Sequence, residues 1–155
     1  VLQGEATEIG IESTVVDATG DEIVVLRAGG LGIEELSRIG PVRFAGDEGE
    51  VRGVPMSPGT KYRHYAPRAR VVAIDDAQEA KACADAAFIG LGMPPDLGSF
   101  AMYRVVPDSD AYARELFAFF RVCDGMGVTT IWAELPNPAG IGVALRDRIL
   151  RASRG

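Results

Sequence analysis

From Pro41 to about Arg70 the chain is rich in glycine, proline and charge, and this stretch splits it into two unequal parts. A connection of this length with no regular element of its own is functional or disordered. It reads as a linker over 41–70. The fold is thereby limited to a short unit over 1–40 and a larger one over 71–155, the only part long enough for its own core.

In the first unit, Glu12-Ser-Thr-Val-Val-Asp17 and Ile23-Val-Val-Leu26 are β-branched runs split by Ala18-Thr-Gly-Asp-Glu22. That spacing predicts two strands in a hairpin. Gly32 to Ile39 predicts a short helix with Ile33, Leu36 and Ile39 on one face and Gly40-Pro41 as its stop. A hairpin and one short helix bury too little apolar surface to stand alone, so this unit is expected to be the tail of another domain.

The second unit alternates strands and helices. Val71–Ile74, Ala87–Leu91, Ala101–Val106 and Thr129–Glu134 read as strands. A helix is expected from Asp76 to about Asp85, opened by a capping-box-like Asp76-Ala-Gln-Glu79. A longer one, capped by Asp108 or Ser109, carries Tyr112, Leu116, Phe119 or Phe120, and Cys123 at helical spacing, and ends at Gly125 or Gly127. After the loop Pro136–Gly140, a closing helix spans Val143–Ala152. The pattern argues for a small open α/β sheet with helices on its faces. The link from Gly92 to Phe100 is short for a helical parallel crossover. The second or third strand is therefore antiparallel, or crosses over without a helix.

Hydrophobic residues make up 47% and charged residues 25%, and the net charge is −6, which argues against a general nucleic-acid binder. Against that acidic background Lys61, Arg63, Arg68 and Arg70 form a basic island. One histidine and the absence of Cys-x-x-Cys argue against a zinc site. Cys83 and Cys123 both fall in stretches read as helices, suggesting buried thiols in a reducing compartment. No apolar run approaches the length of a membrane span. The chain starts at Val1 without a start methionine or a charged-then-apolar leader, so the expected location is cytoplasmic and the chain is expected to be a piece of something longer.

The densest chemistry lies in Ser57-Pro-Gly-Thr-Lys-Tyr-Arg-His-Tyr-Ala-Pro67. Lys61 and Arg63 suit phosphates, Tyr62 or Tyr65 could stack on a base, and His64 could move a proton. The plainer alternative is a solvated basic linker docked on an acidic neighbour. Ser13 and Thr14 offer hydroxyls at a strand start, although β propensity alone explains them. Arg27-Ala-Gly-Gly-Leu-Gly32 puts a cation before a glycine turn and a helix start, a candidate phosphate site that matches neither the Walker nor the dinucleotide pattern. Asp75, Asp76, Asp108 and Asp110 read as helix caps and their neighbours, Trp132 as sheet packing, and nothing over 71–155 forms a catalytic set.

Gly10-Ile-Glu-Ser-Thr-Val-Val-Asp17, Leu26-Arg-Ala-Gly29, the Ser57–Pro67 strap and the ending Gly140-Ile-Gly-Val-Ala-Leu-Arg-Asp-Arg-Ile149 occur in this order. Together they resemble the YrdC-like family of threonylcarbamoyl-AMP synthases in its two-domain form. The resemblance implies a YrdC-like α/β catalytic domain, represented here by a remnant, then a linker that forms a lid, then a Rossmann-like domain. It implies a nucleotidyl transfer: L-threonine and bicarbonate give a carbamate that attacks the α-phosphate of ATP, usually with Mg²⁺. A tRNA-modifying partner then uses the threonylcarbamoyl-AMP. By the same resemblance Ser13 contacts threonine, Arg27 and Tyr65 (or Tyr62) contact ATP, and Lys61, Arg63 and His64 support closure. No residue of this chain is assigned a catalytic role or a metal. The family's upstream Lys- and Arg-containing sites lie outside this sequence, so the chain alone is expected to be silent. The family's usual proline after the arginine is Ala28 here. A non-catalytic α/β module binding a nucleotide or a protein is the alternative.

Overall fold

The computed structural model describes residues 8–45 and 66–154. The strap residues Lys61, Tyr62, Arg63, His64 and Tyr65 lie outside the described residues.

Two separate sheets form among the described residues. In the first, β1 (Val15–Asp17) runs antiparallel to β2 (Ile23–Arg27), as the hairpin pattern required. Asp17 closes the turn by accepting from the Thr19 N–H at 2.9 Å and the Thr19 hydroxyl at 2.7 Å. The pairing jumps from Val16–Val25 to Val15–Arg27, so Leu26 is extra and the strand is bulged beside Arg27. Bulges of this kind re-aim the side chains that follow them. The helix α1 (Ile33–Leu36) is shorter than its pattern suggested. Leu36 is buried, but Ile39 is 78% exposed, because helical hydrogen bonding gives way to a looser turn after Ser37. β3 (Val42–Phe44) then pairs parallel to β2. The start of the segment read as linker is therefore a strand, its Val42 and Phe44 half-buried.

The second sheet contains β4 (Arg70–Ile74), β5 (Ala86–Gly90), β6 (Met102–Val105) and β7 (Thr130–Glu134) in the order β4-β7-β5-β6, all parallel. Of the two possibilities for the short Gly92–Phe100 link, the second holds: β5 and β6 are parallel and joined without an α-helix. The last strand, β7, inserts between β4 and β5. All five residues of β5 are buried, as expected of a strand with a neighbour on each side and cover on both faces.

One face carries the main core. α2 (Ser109–Met126) and α3 (Ile141–Ser153) pack Tyr112, Leu116, Phe119, Phe120, Cys123, Leu145 and Ile149 onto Val71, Ala87, Ile89, Ile131 and Ala133. α2 is delimited by sequence-legible caps: Asp108 accepts from the Ala111 N–H at 2.7 Å, and Gly127 takes the left-handed conformation at φ +72°. The other face is thinner. Phe88, Ile74, Ala86 and Phe100 pack with Ala77 and Ala80 from the 3₁₀ turn Ala77–Glu79 and the residue after it, and Trp132 packs beside them.

The helix expected over Asp76–Asp85 is that 3₁₀ turn. Asp76 accepts from the Gln78 N–H, and Glu79 accepts in return from the Asp76 N–H at 3.0 Å, so the capping box is real. Ala80 is already extended. Further on, Asp85 is tied to the entry of β7, its carbonyl accepting from the Thr129 N–H at 2.9 Å and its carboxylate from the Thr129 hydroxyl at 2.7 Å. Cys83 is consequently exposed and non-helical, contrary to its expected burial, whereas Cys123 is buried in α2.

Candidate functional site

Ser13 and Arg27 come together. Arg27 ends β2, Ser13 precedes β1, and the Arg27 Nη2 donates to the Ser13 carbonyl at 3.0 Å. Ser13 is exposed and Arg27 half-buried. The loop after Arg27 is fixed against the same segment. The Thr14 hydroxyl donates to the Leu31 carbonyl at 2.7 Å and accepts from the Leu31 N–H at 3.0 Å, and the Gly30 N–H donates to the Glu12 carbonyl at 3.1 Å. Gly29 sits where any Cβ would fall on the backbone of Ser13 and Thr14. Glycine is required there by close approach.

The N–H of Gly32, at the entry to α1, is taken by the Glu35 carboxylate at 3.2 Å, and Glu34 and Glu35 make the first turn acidic. The cationic character of this loop therefore comes from Arg27 itself and not from the helix end.

The hairpin unit docks on the larger domain through α2 and α3. Gly10, at φ +77°, lies so close to α2 that a Cβ would meet the backbone of Ala113 and Arg114. Glu34 accepts from the Gly140 N–H, just ahead of α3, at 3.1 Å, and its pKa is lowered by hydrogen bonds from its own N–H and then from Gly140. A small cleft between the units is lined by Thr14, Ala28, Leu31, Gly32, Gly140 and Val143.

The strongest link is Arg148 of α3, whose side chain is 9% exposed. Its Nε and Nη2 both reach the Glu12 carboxylate at 3.0 Å, Nη2 also donates to the Ala28 carbonyl at 3.0 Å, and Nη1 donates to Asp147 at 2.6 Å. A guanidinium is the one side chain whose planar fork can serve several acceptors in one place. Hydrogen bonds to a charged group of this kind contribute about 1.5–3 kcal/mol each, towards the lower figure here because Glu12 and Asp147 are partly exposed. Nothing in the sequence reading singled out Arg148. The available signal was its spacing: it lies three and four residues after Leu145 and Ala144, both fully buried, and so puts a charge on the apolar face of α3.

At the carboxyl end of the parallel sheet, where open α/β sheets commonly hold ligands, the Glu134 carboxylate accepts from the N–H groups of Leu91 at 2.6 Å and Gly92 at 2.7 Å. The buried Tyr112 hydroxyl lies 3.0 Å from the carbonyls of both Ile89 and Glu134, tying β5 to β7, and burial raises its pKa well above the usual phenol value. The backbone donors that could hold an anion after β5 are thus filled from within. Asp75 lies 3.8 Å from Arg146, and Asp76 is the cap already described. Of the remaining basic island, Arg68 is exposed, with its N–H on Asp124 at 2.8 Å, and Arg70 opens β4. Among the described residues no group of three or more His, Cys, Asp or Glu side chains could hold a metal ion, and no helix is long and apolar enough to cross a membrane.

The sequence profile described as the C-terminal domain of threonylcarbamoyl-AMP synthase matches residues 31–154. The chain belongs to that family. It is 32% identical to a threonylcarbamoyl-AMP synthase of Pyrococcus abyssi over 99% of this chain and 48% of the relative. It is 27% identical to one of Schizosaccharomyces pombe over 99% of this chain and 44% of that protein. The chain therefore spans about half the length of the curated relatives it matches. The crystal structure of P. abyssi Sua5 complexed with L-threonine matches at 33% identity and a TM-score of 0.75, over 96% of this chain and 47% of that one. A variant of the same protein, with an adjacent histidine and tyrosine changed to alanine, matches at 32% identity and a TM-score of 0.74, over 96% and 46%.

Proposed function

We propose that this chain is the distal part of a threonylcarbamoyl-AMP synthase acting in tRNA threonylcarbamoyladenosine synthesis in the cytoplasm. In this reading the segment before the strap completes a catalytic domain whose larger part lies in preceding sequence, and the parallel-sheet domain is accessory to it. L-Threonine and bicarbonate combine, with loss of water, into a carbamate. A carbamate oxygen attacks the α-phosphorus of ATP, the bond to the bridging oxygen breaks, and pyrophosphate leaves. The Arg27 guanidinium would bear on the phosphates and the Ser13 hydroxyl on threonine. The segment Lys61, Tyr62, Arg63, His64 and Tyr65 would close over the nucleotide and exclude water. A magnesium ion arriving with the triphosphate would keep its ligands largely on phosphate and water. The product passes to a tRNA-modifying transferase.

The observation that carries this reading is the meeting of Ser13 and Arg27 at 3.0 Å in a chain of this family. The altered histidine–tyrosine pair of the P. abyssi variant adds support. This chain has one histidine, His64, followed by Tyr65, so such a pair can only be these two residues. The self-filled donors at Leu91 and Gly92 weigh against the alternative of a nucleotide module in the accessory domain.

The test is pyrophosphate release by the protein that includes the preceding half. Release should require L-threonine, bicarbonate and ATP together, and Arg27→Ala should lower it by about 10²-fold or more. This chain alone should release none. A full protein whose pyrophosphate release ignores threonine ends the proposal.

A further inference from the structure

Arg148 bridges the two residues that flank the candidate site. Glu12 immediately precedes Ser13, Ala28 immediately follows Arg27, and one guanidinium holds the first by its carboxylate and the second by its carbonyl, each at 3.0 Å. On the site side, Arg27 is bonded to the Ser13 carbonyl, also at 3.0 Å. Besides the loop contacts already described, the strand end and the strand start are therefore joined by the site's own arginine and by one from α3 of the neighbouring domain.

The Thr14–Leu31 and Gly30–Glu12 bonds hold the loop farther on, whereas Arg148 takes the Glu12 carboxylate and the Ala28 carbonyl beside the site itself. Gly29 packs backbone against backbone with Ser13 and Thr14, so the spacing leaves no room for a side chain between the two segments. β1 is only three residues long and its register slips beside Arg27, so strand pairing holds this end weakly. We infer that Arg148 is a positioning residue of the accessory domain that sets the separation of Ser13 and Arg27, and so couples that domain to substrate binding. The inference rests on the reading of Ser13 and Arg27 given above. Without the guanidinium, the half-buried Glu12 carboxylate loses its cation and the Ala28 carbonyl its donor, and the two segments can drift. A misplacement of about 1 Å in a site can cost up to about 10²-fold in rate.

The experiment uses the full-length protein and compares Arg148→Ala, Arg148→Lys, Glu12→Gln, Ser13→Ala and Arg27→Ala, with Arg104→Ala as a control. Arg104 of β6 pairs with Glu115 of α2 at 2.7 Å, both side chains partly exposed and neither bonded to Arg148, Glu12 or Ala28. Each variant is assayed for KM and kcat of threonine-dependent pyrophosphate release, at a temperature where circular dichroism shows it folded, and separately for its thermal midpoint. Arg148→Ala is expected to lower kcat/KM for threonine about tenfold or more, chiefly through KM. Arg148→Lys, which keeps the charge but not the fork, should fall between it and the parent, and Arg104→Ala should match the parent. Should Arg148→Ala fail to fold, Arg148→Lys and Glu12→Gln carry the same expectation at smaller size. If these variants lower the midpoint while KM and kcat stay at parental values, Arg148 is structural glue and the inference falls. If Ser13→Ala and Arg27→Ala themselves leave threonine and ATP use unchanged, the site reading falls instead, and the inference with it.

Discussion

Replacing Glu134 tests how the parallel sheet closes its carboxyl end. Its Oε2 accepts from two N–H groups at 2.6 and 2.7 Å, both short enough for charge-assisted bonds. Such bonds contribute about 1.5–3 kcal/mol each. Glu134 is half-buried, so the lower bound applies, and two of them give about 3 kcal/mol for Glu134→Ala. Glu134→Gln keeps an acceptor oxygen but not the charge and should cost about 1 kcal/mol. With a urea slope of about 1–3 kcal/mol per molar, the alanine midpoint should fall by roughly 1–3 M and the glutamine midpoint by about a third of that. The single tryptophan, Trp132, sits on the same strand and reports the transition by fluorescence, with far-UV circular dichroism as the second probe. A glutamine midpoint equal to the parent's would mean that charge contributes nothing, and one equal to alanine's that a neutral acceptor retains nothing. A shift of less than about 0.3 M for alanine would mean that water satisfies both donors, and the reasoning would be refuted.

Three further expectations concern other parts of the molecule. Gly29→Ala forces a Cβ onto the backbone of Ser13 and Thr14 and should destabilise the hairpin unit by at least about 2 kcal/mol, seen as earlier protease cutting within residues 8–32. Glu34 has a folded pKa below its ordinary 4.5, so its contribution is full above that pH and is lost as pH falls through the lower folded value. Urea midpoints measured from about pH 6 down to about pH 3 should therefore drop less for Glu34→Gln than for the parent, and parallel curves would contradict the Gly140 contact. Cys123 is buried and its pKa is pushed up to about 11, chiefly by desolvation and then by Asp124, whereas Cys83 is exposed. At about pH 8 iodoacetamide should label Cys83 first, even though its hydrogen bond to Asp85 raises its pKa, and early labelling of Cys123 would contradict the packing of α2.

Much of the fold was legible because local chemistry and packing agree. Asp108 and Gly127 are caps by residue type, the apolar repeat of α2 is its buried face, and the β-branched runs are strands. The failures occur where a distant partner overrules the local pattern. The capping box at Asp76 is satisfied in a single turn, and Thr129, arriving much later in the chain, draws Asp85 away. Val42–Phe44 lies among glycine, proline and charge and becomes a strand only because β2 offers it an edge. The central place of β7 leaves no mark in its own sequence beyond alternating burial. At the site, Ser13 and Arg27 were visible as residue types at strand ends. Their second support was not: the spacing of Arg148 marks a charge on the apolar face of α3 but does not name its acceptors.

The reach of Arg148 has a consequence for biogenesis. Its acceptors lie 136 and 120 residues earlier in the chain, so a ribosome delivers Glu12 and Ala28 well before their anchor exists. At about 5–20 residues per second, the hairpin waits several seconds or longer, with half-buried groups still open to water, until α3 emerges. A nascent chain stalled before α3 should therefore carry an unlatched hairpin, open to capture by chaperones, and translation of the final helix would act as the latch.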